Sequence, residues 1–328
     1  MYKIAVIDDY QGVAHRFADW GSISPRAEVT FFHEQIKSEE ELAELLQPFD
    51  ILCVMRERTW FTRSLLEQLP RLRMIASTGN WNAAIDMDAT DALGITVCAT
   101  GSSLTSAGEM TWALLLACAR QLPREIAAFG RGGWQETVGM DLAGRTLGLV
   151  GLGYTGTAVA RYGQAFGMHV LAWSQNMTAE MASAKGAEYV SKEELLRRSD
   201  FVSVHVRLSD RTRDMFAEPE FALMKKSAYL INTARGPIVD EAAMVEALRS
   251  GRIAGAAADV FWPEPLPADY ALRRQENFIG TSHLGYVTED SYRIYYGESL
   301  QNISAWIDGN PIRIITSVNK EVKYVSQS

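Results

Sequence analysis

Three residues able to handle protons and carboxylates fall, one each, just past three apolar runs in the second half of the chain. Arg235 follows Ala228–Ile231, Glu264 follows Ile253–Ala257, and His283 follows Asn277–Gly280. In a parallel sheet, the C-terminal ends of the strands line the ligand crevice. Brought together there, a guanidinium would clamp a carboxylate and an imidazole would exchange a proton near neutrality. A carboxylate beside that imidazole would favour its charged form. Taken singly, each residue has a plainer reading: a surface arginine, a solvated acid in a proline-rich turn, a histidine satisfied in a core.

Upstream, Gly151-Leu152-Gly153-Tyr154-Thr155-Gly156 stands between the apolar run Thr146–Val150 and the helix-period segment Thr155–Phe166. Gly151 permits a tight turn, Gly153 lets backbone approach a pyrophosphate, and Gly156 lets helix and sheet pack closely. The helix N-terminus then offers amide donors to the phosphates. The carboxylate usual about 20 residues further on is missing, because His169–Trp173 runs into Ser174-Gln175-Asn176. A carboxylate would repel a 2′-phosphate; Ser174 does not, and Arg207 near the next strand end is placed to lend a positive charge. The expected cofactor is NAD or NADP, with a lean to NADP. His205, closing the run Phe201–Val204, is expected to approach it.

The elements that must position these groups are short apolar runs alternating with helix-period segments, the pattern of parallel sheets with crossover helices. In the first hundred residues the expected strands are Lys3–Ile7, Val29–Phe32, Ile51–Met55, Arg73–Ala76 and Ile95–Cys98, with helices at Glu39–Leu46 and Thr62–Leu69. Two long helices are expected, one from about Ser106 to Leu122 stopped by Pro123, the other from about Thr288 to Ile307. The tail from Ile312 carries no readable chemistry. The fold class is α/β, with two doubly wound parallel-sheet, Rossmann-like lobes.

Composition bounds the function. The 328 residues suffice for about two domains, and 47% hydrophobic with 22% charged residues excludes disorder as a description of the whole. A net charge of −8 argues against a nucleic-acid or anionic-membrane surface. Cys53, Cys98 and Cys118 sit in apolar runs at spacings that make neither a disulfide framework nor a zinc site, so no metal is expected. Ile4–Ile7 is too short for a signal peptide core and meets Asp8-Asp9 at once, so a cytoplasmic setting is expected.

Over nearly its whole length, and most specifically from Gly144 to Tyr286, the chain resembles the D-isomer-specific 2-hydroxyacid dehydrogenases. Leu142–Gly151 is similar to that family's entry into its cofactor fold. Met224–Asp240 resembles its arginine signature, Asp259–Pro265 its glutamate segment and His283–Tyr286 its histidine segment. The resemblance implies that Arg235 binds the substrate's carboxylate and carbonyl, His283 exchanges the hydroxyl proton and Glu264 holds and charges the imidazole. It implies cofactor contacts at Asp259, Thr212, Thr233 and Gly285, and a substrate-carboxylate loop at Ser77-Thr78-Gly79-Asn80. Tyr154 and Thr155 depart from the family's common Arg-Ile, and Ser282 replaces its proline before the histidine.

It further implies that residues 1–102 plus 289–328 form a flavodoxin-like substrate-binding lobe, into which the dinucleotide-binding lobe 103–288 is inserted. A homodimer is expected through the helix at 106–122 and the loop Gly132-Gly133-Trp134. The expected activity is reversible hydride transfer between NAD(P) and a small 2-hydroxy or 2-keto acid. The alternative is a non-catalytic, NAD(P)-sensing corepressor-like protein.

Overall fold

A computed structural model describes residues 1–36 and 38–319, so the end of the tail, 320–328, lies outside the described residues. The chain divides into two compact units, Met1–Ser103 with Thr288–Ser328, and Leu104–Val287.

The first unit holds β1 (Tyr2–Val6), β2 (Ala27–Phe31), β3 (Ile51–Val54), β4 (Met74–Ser77) and β5 (Thr96–Cys98). These strands lie in the order β5-β4-β3-β1-β2 and pair in parallel. This is the flavodoxin-like order, with its crossover reversing between β1 and β3. β3 and β4 are buried at every residue, as strands covered by helices on both faces must be. A final two-residue strand pairs antiparallel with β5 through Ile314↔Cys98 and Ile315↔Val97. The expectation of a purely parallel sheet missed it, because two isoleucines in a polar tail carry no period.

The second unit holds seven strands. They are β6 (Thr146–Val150), β7 (His169–Trp173), β8 (Glu188–Tyr189), β9 (Phe201–Val204), β10 (Tyr229–Asn232), β11 (Gly255–Ala258) and β12 (Phe278–Gly280). All pair in parallel, in the order β12-β11-β10-β9-β6-β7-β8. The order reverses at β6, which puts the ligand crevice at the carboxyl ends of β6 and β9. Two apolar clusters cover the two faces, one around Trp112, Leu115, Leu149 and Val159, the other around Val202, Leu230, Phe221 and Leu248.

The helices start where hydroxyl or carboxylate side chains cap them. Ser191, Asp240 and Thr288 each accept a hydrogen bond from an amide three residues on. The predicted helix from 106 to 122 is two helices, Ser106–Ala119 and Leu122–Gly130. Gln121 turns the chain in the left-handed region, with φ +53°, and Pro123 opens the second helix. A proline in a first helical turn lacks only an amide that has no intrahelical partner there, so it starts this helix where it was expected to stop one.

Both units share one device that no sequence repeat announces. Asp50, just before β3, accepts from Lys3 N at 2.8 Å and pairs with Arg71. Asp200, just before β9, accepts from Thr146 N at 2.8 Å and pairs with Lys225. Among the described residues no helix is long and apolar enough to cross a membrane. Nor could any group of three His, Cys, Asp or Glu side chains there hold a metal ion. All three cysteines are buried free thiols, pushed up to about 12 by burial.

Asp8, at the end of β1, is 3% exposed and receives hydroxyls from Thr59 and Tyr10. Loss of water pushes its carboxyl from 3.8 up to about 6 against those hydrogen bonds and the nearby Arg58. The folded state therefore holds this proton more tightly than the unfolded chain, so stability falls as pH rises from about 4 to 6. We predict that Asp8→Asn gains stability over wild type across that window, by up to about 3 kcal/mol, and by a constant amount above it. Urea melts at pH 4, 5, 6 and 8 check this; a difference that does not vary with pH refutes it.

Candidate active site

In the glycine loop, Gly151 takes φ +100° and its amide donates to Trp173 O at 2.8 Å, turning the chain off β6. A Cβ on Gly156 would lie 2.2 Å from Gly151 O, and one on Gly151 would lie 2.8 Å from the main chain of His205. Neither position has room for a side chain. Above Gly153, by contrast, a Cβ would meet nothing within 4 Å. Gly153 is the N-cap of the helix Tyr154–Ala165, and no side chain caps it. A phosphate approaching there meets outward-pointing amides at the positive end of the helix. The residues fit a dinucleotide. Tyr154 is 62% exposed and Thr155 half-buried on the first turn.

Ser174 is half-buried beyond β7, while Arg207 is exposed beyond β9. His205 sets its Nε2 2.9 Å from Ser203 Oγ, and loss of water holds the imidazole neutral, its pKa pushed down to about 4. Thr212 is engaged within its own loop, accepting from Ser209 N at 2.8 Å and donating to Arg207 O at 2.7 Å.

Arg235, Glu264 and His283 leave one edge of the sheet from adjacent strands, since Asn232 pairs with Ala258 and Ala258 with Gly280. Each is held by a neighbour. Asn232, 3% exposed, donates to Arg235 O at 3.0 Å and accepts from Ala234 N at 3.1 Å, which shapes the turn that carries Arg235. A Cβ on Gly236 would fall 2.3 Å from Phe261 C, so the arginine turn rests directly on the backbone leading to Glu264. Glu264 Oε1 accepts from Phe261 N at 2.7 Å, and its Oε2 lies 2.6 Å from His283 Nδ1. Facing a carboxylate, Nδ1 carries the hydrogen, which leaves Nε2 as the nitrogen available to a substrate.

His283 has φ +56°. Its segment is fastened on both sides by Asp259, 1% exposed, whose carboxylate accepts from Thr281 Oγ1 (2.6 Å), Leu284 N (2.7 Å) and Gly285 N (2.7 Å). Thr233, just past β10, sets its Oγ1 2.6 Å from that of Thr111.

In the first unit, Thr78 and Gly79 follow β4. Thr78 N donates to Val54 O at 3.0 Å and Gly79 N to Thr100 Oγ1 at 2.7 Å, so both amides, expected to face a substrate, are engaged within the unit. A Cβ on Gly79 would overlap the Arg56 guanidinium, which lies over this turn.

Residues 112–285 match the family model described as D-isomer specific 2-hydroxyacid dehydrogenase, NAD binding domain. The glyoxylate reductase of Aeropyrum pernix is 40% identical over 274 residues, 80% of this chain and 81% of that enzyme. The chain belongs to the D-isomer-specific 2-hydroxyacid dehydrogenase family. The D-3-phosphoglycerate dehydrogenase of Methanocaldococcus jannaschii is 39% identical over 260 residues, 78% of this chain, which spans about half (49%) of that relative's length. The crystal structure of a phosphoglycerate oxidoreductase from Vibrio cholerae superposes with a TM-score of 0.90, at 34% identity, over 94% of this chain and 100% of the other.

Asn232, Ser203 and Thr111, each bonded to a residue expected in the site or to the turn that carries one, are contacts the sequence reading did not single out. Asn232 left one signal, a polar residue closing a buried apolar strand. Thr111 left none, because an apolar helix hides it. Gly156→Ala places a methyl against Gly151 O and must open the turn. We predict that it weakens NADH binding tenfold or more, about 1.4 kcal/mol, measured by nucleotide fluorescence; an unchanged dissociation constant would remove the turn from the binding site.

Proposed function

We propose that this chain reduces a small 2-keto acid to the 2-hydroxy acid, reversibly, with a nicotinamide dinucleotide held on the Gly151–Gly156 turn. The 2.6 Å contact between Glu264 and His283 carries this reading. The cofactor, when bound, supplies or accepts the hydride at the carbon bearing oxygen. His283 gives its Nε2 proton to the carbonyl oxygen in reduction and recovers it in oxidation. Glu264 fixes the ring tautomer and steadies the imidazolium before that proton leaves. Arg235 orients the substrate carboxylate and stabilises charge developing on oxygen. Thr78 and Gly79 are the substrate contacts proposed for the first unit, with the Gly79 amide released from Thr100. Asp259, Gly285, Thr212, Thr233 and His205 are proposed on the cofactor side.

A sensing role without turnover has less support, because a cofactor-reporting surface needs no tautomer-fixing carboxylate. A panel of 2-keto acids with NADH and with NADPH tests the proposal; no oxidation of either cofactor by any of them would sink it. His283→Ala should lose about 10²–10⁴-fold in turnover while binding NADH as wild type does. A variant that keeps more than a tenth of the turnover, or loses NADH, refutes the assigned role.

The choice between cofactors turns on Ser174 and Arg207. Ser174 presents no charge to a 2′-phosphate, and exposed Arg207 stands past β9, two strands along from β7 with β6 between them. We infer use of NAD with tolerance of, and a slight lean to, NADP. Arg207→Ala should then raise the KM for NADPH tenfold or more, the loss of a charge-assisted contact, and leave that for NADH unchanged. Equal effects on both would show that Arg207 reads no phosphate.

A homodimer is proposed with its contact moved from the expected helix. Ser106–Ala119 is mostly buried in its own unit. The helix Leu122–Gly130 and the segment after it instead expose Ile126 (69%), Phe129 (73%), Trp134 (76%) and Val138 (95%), four large apolar side chains within one short stretch, which supports an interface there. Light scattering should give twice 36.4 kDa, and Phe129→Glu with Trp134→Glu the monomer; a wild-type monomer at micromolar concentration refutes it. The buried thiols support a reducing, cytoplasmic setting.

A further inference from the structure

Thr111 is fully buried in the apolar helix Ser106–Ala119. A threonine hydroxyl has one proton and accepts through its lone pairs. That of Thr111 donates to Ala107 O, 2.8 Å away and four residues back in the helix. The 2.6 Å contact between Thr111 Oγ1 and Thr233 Oγ1 can then be made in one sense alone, with Thr233 as the donor. Thr233 has no second proton, so towards any third group its oxygen only accepts. An isolated hydroxyl would turn its proton to suit either kind of partner; this one cannot. Thr233 is half-buried, one residue beyond β10 and two before Arg235.

We propose that Thr111 is a positioning and specificity residue for the cofactor: by accepting the hydrogen bond of the Thr233 hydroxyl, it makes Thr233 an obligate acceptor for a donor on the nicotinamide-ribose half of the dinucleotide. The inference rests on the cofactor reading above. A carboxamide N–H and a ribose hydroxyl are the donors of that half, whereas a carbonyl or phosphate oxygen facing Thr233 would meet lone pair against lone pair.

The test measures NADH dissociation constants by nucleotide fluorescence, with melting temperatures alongside. Thr111→Val keeps the shape of the side chain and removes the hydroxyl, and should weaken NADH about five- to tenfold. Thr111→Ser should restore wild-type binding, which a loss of packing alone would not allow. Thr233→Val should weaken binding at least as much, and the double variant no further, because both break one relay. Should Thr111→Val not fold, Thr111→Ala and Thr111→Ser, weakened and normal respectively, carry the same test.

The 3-acetylpyridine analogue of NADH, whose acetyl group has no N–H, separates the two donors. If the carboxamide donates, the variants bind the analogue as wild type does; if the ribose donates, they lose both ligands equally. Either outcome supports the relay. NADH binding within twofold of wild type in folded Thr111→Val, or additive effects of the two Val substitutions, overturns it. A wild-type chain that binds no NADH overturns the cofactor reading, and this inference with it.

Discussion

Asp259 leaves β11 with its carboxylate out of water and three donors turned onto it, from Thr281, Leu284 and Gly285. A buried carboxylate without partners is penalised by several kcal/mol, and charge-assisted bonds offset that only when every one is made. The segment 281–285 is therefore tied to one place. His283 lies inside it, with a left-handed backbone that a free loop would seldom hold.

Glu264 acts on the same histidine from the ring side, and it too descends from β11. Its two oxygens divide the work, one receiving the amide of Phe261 and the other facing Nδ1. The strand end thus fixes both the backbone and the tautomer of His283. The arginine joins this unit through main chain, since Gly236 lies directly against the backbone of Phe261. The glycine loop repeats the arrangement, with Gly156 against Gly151 and Gly151 against His205. Backbone laid on backbone leaves little slack, and placement to within a fraction of an ångström is what hydride and proton transfer require.

Much of the candidate site's placement was legible in residue order. Three chemically able residues stood past three apolar runs, and the glycine spacing lay between a strand and a helix; the sheet puts all of them at strand carboxyl ends. The runs at Thr146–Val150, His169–Trp173 and Phe201–Val204 are strands at those same residues, because parallel strands buried along most of their length read as nearly continuous apolar stretches. Pro123 was read as an ending and is a beginning, since the rule against proline applies to helix interiors and Gln121 had already turned the chain.

What the sequence determined by itself is the set of parts whose signal is local: strand runs, helix caps, the glycine turn, and the order in which Arg235, Glu264 and His283 appear. Tertiary structure decided whatever depends on a partner distant in the chain. Asp259 meets Leu284 and Gly285, Thr111 meets Thr233, Gly79 meets Thr100, and the direction of the Thr111–Thr233 hydrogen bond is set by where the Thr111 proton already goes. A single side chain carries no mark of that distant donor or acceptor, and burial supplies it by removing the water that would otherwise serve.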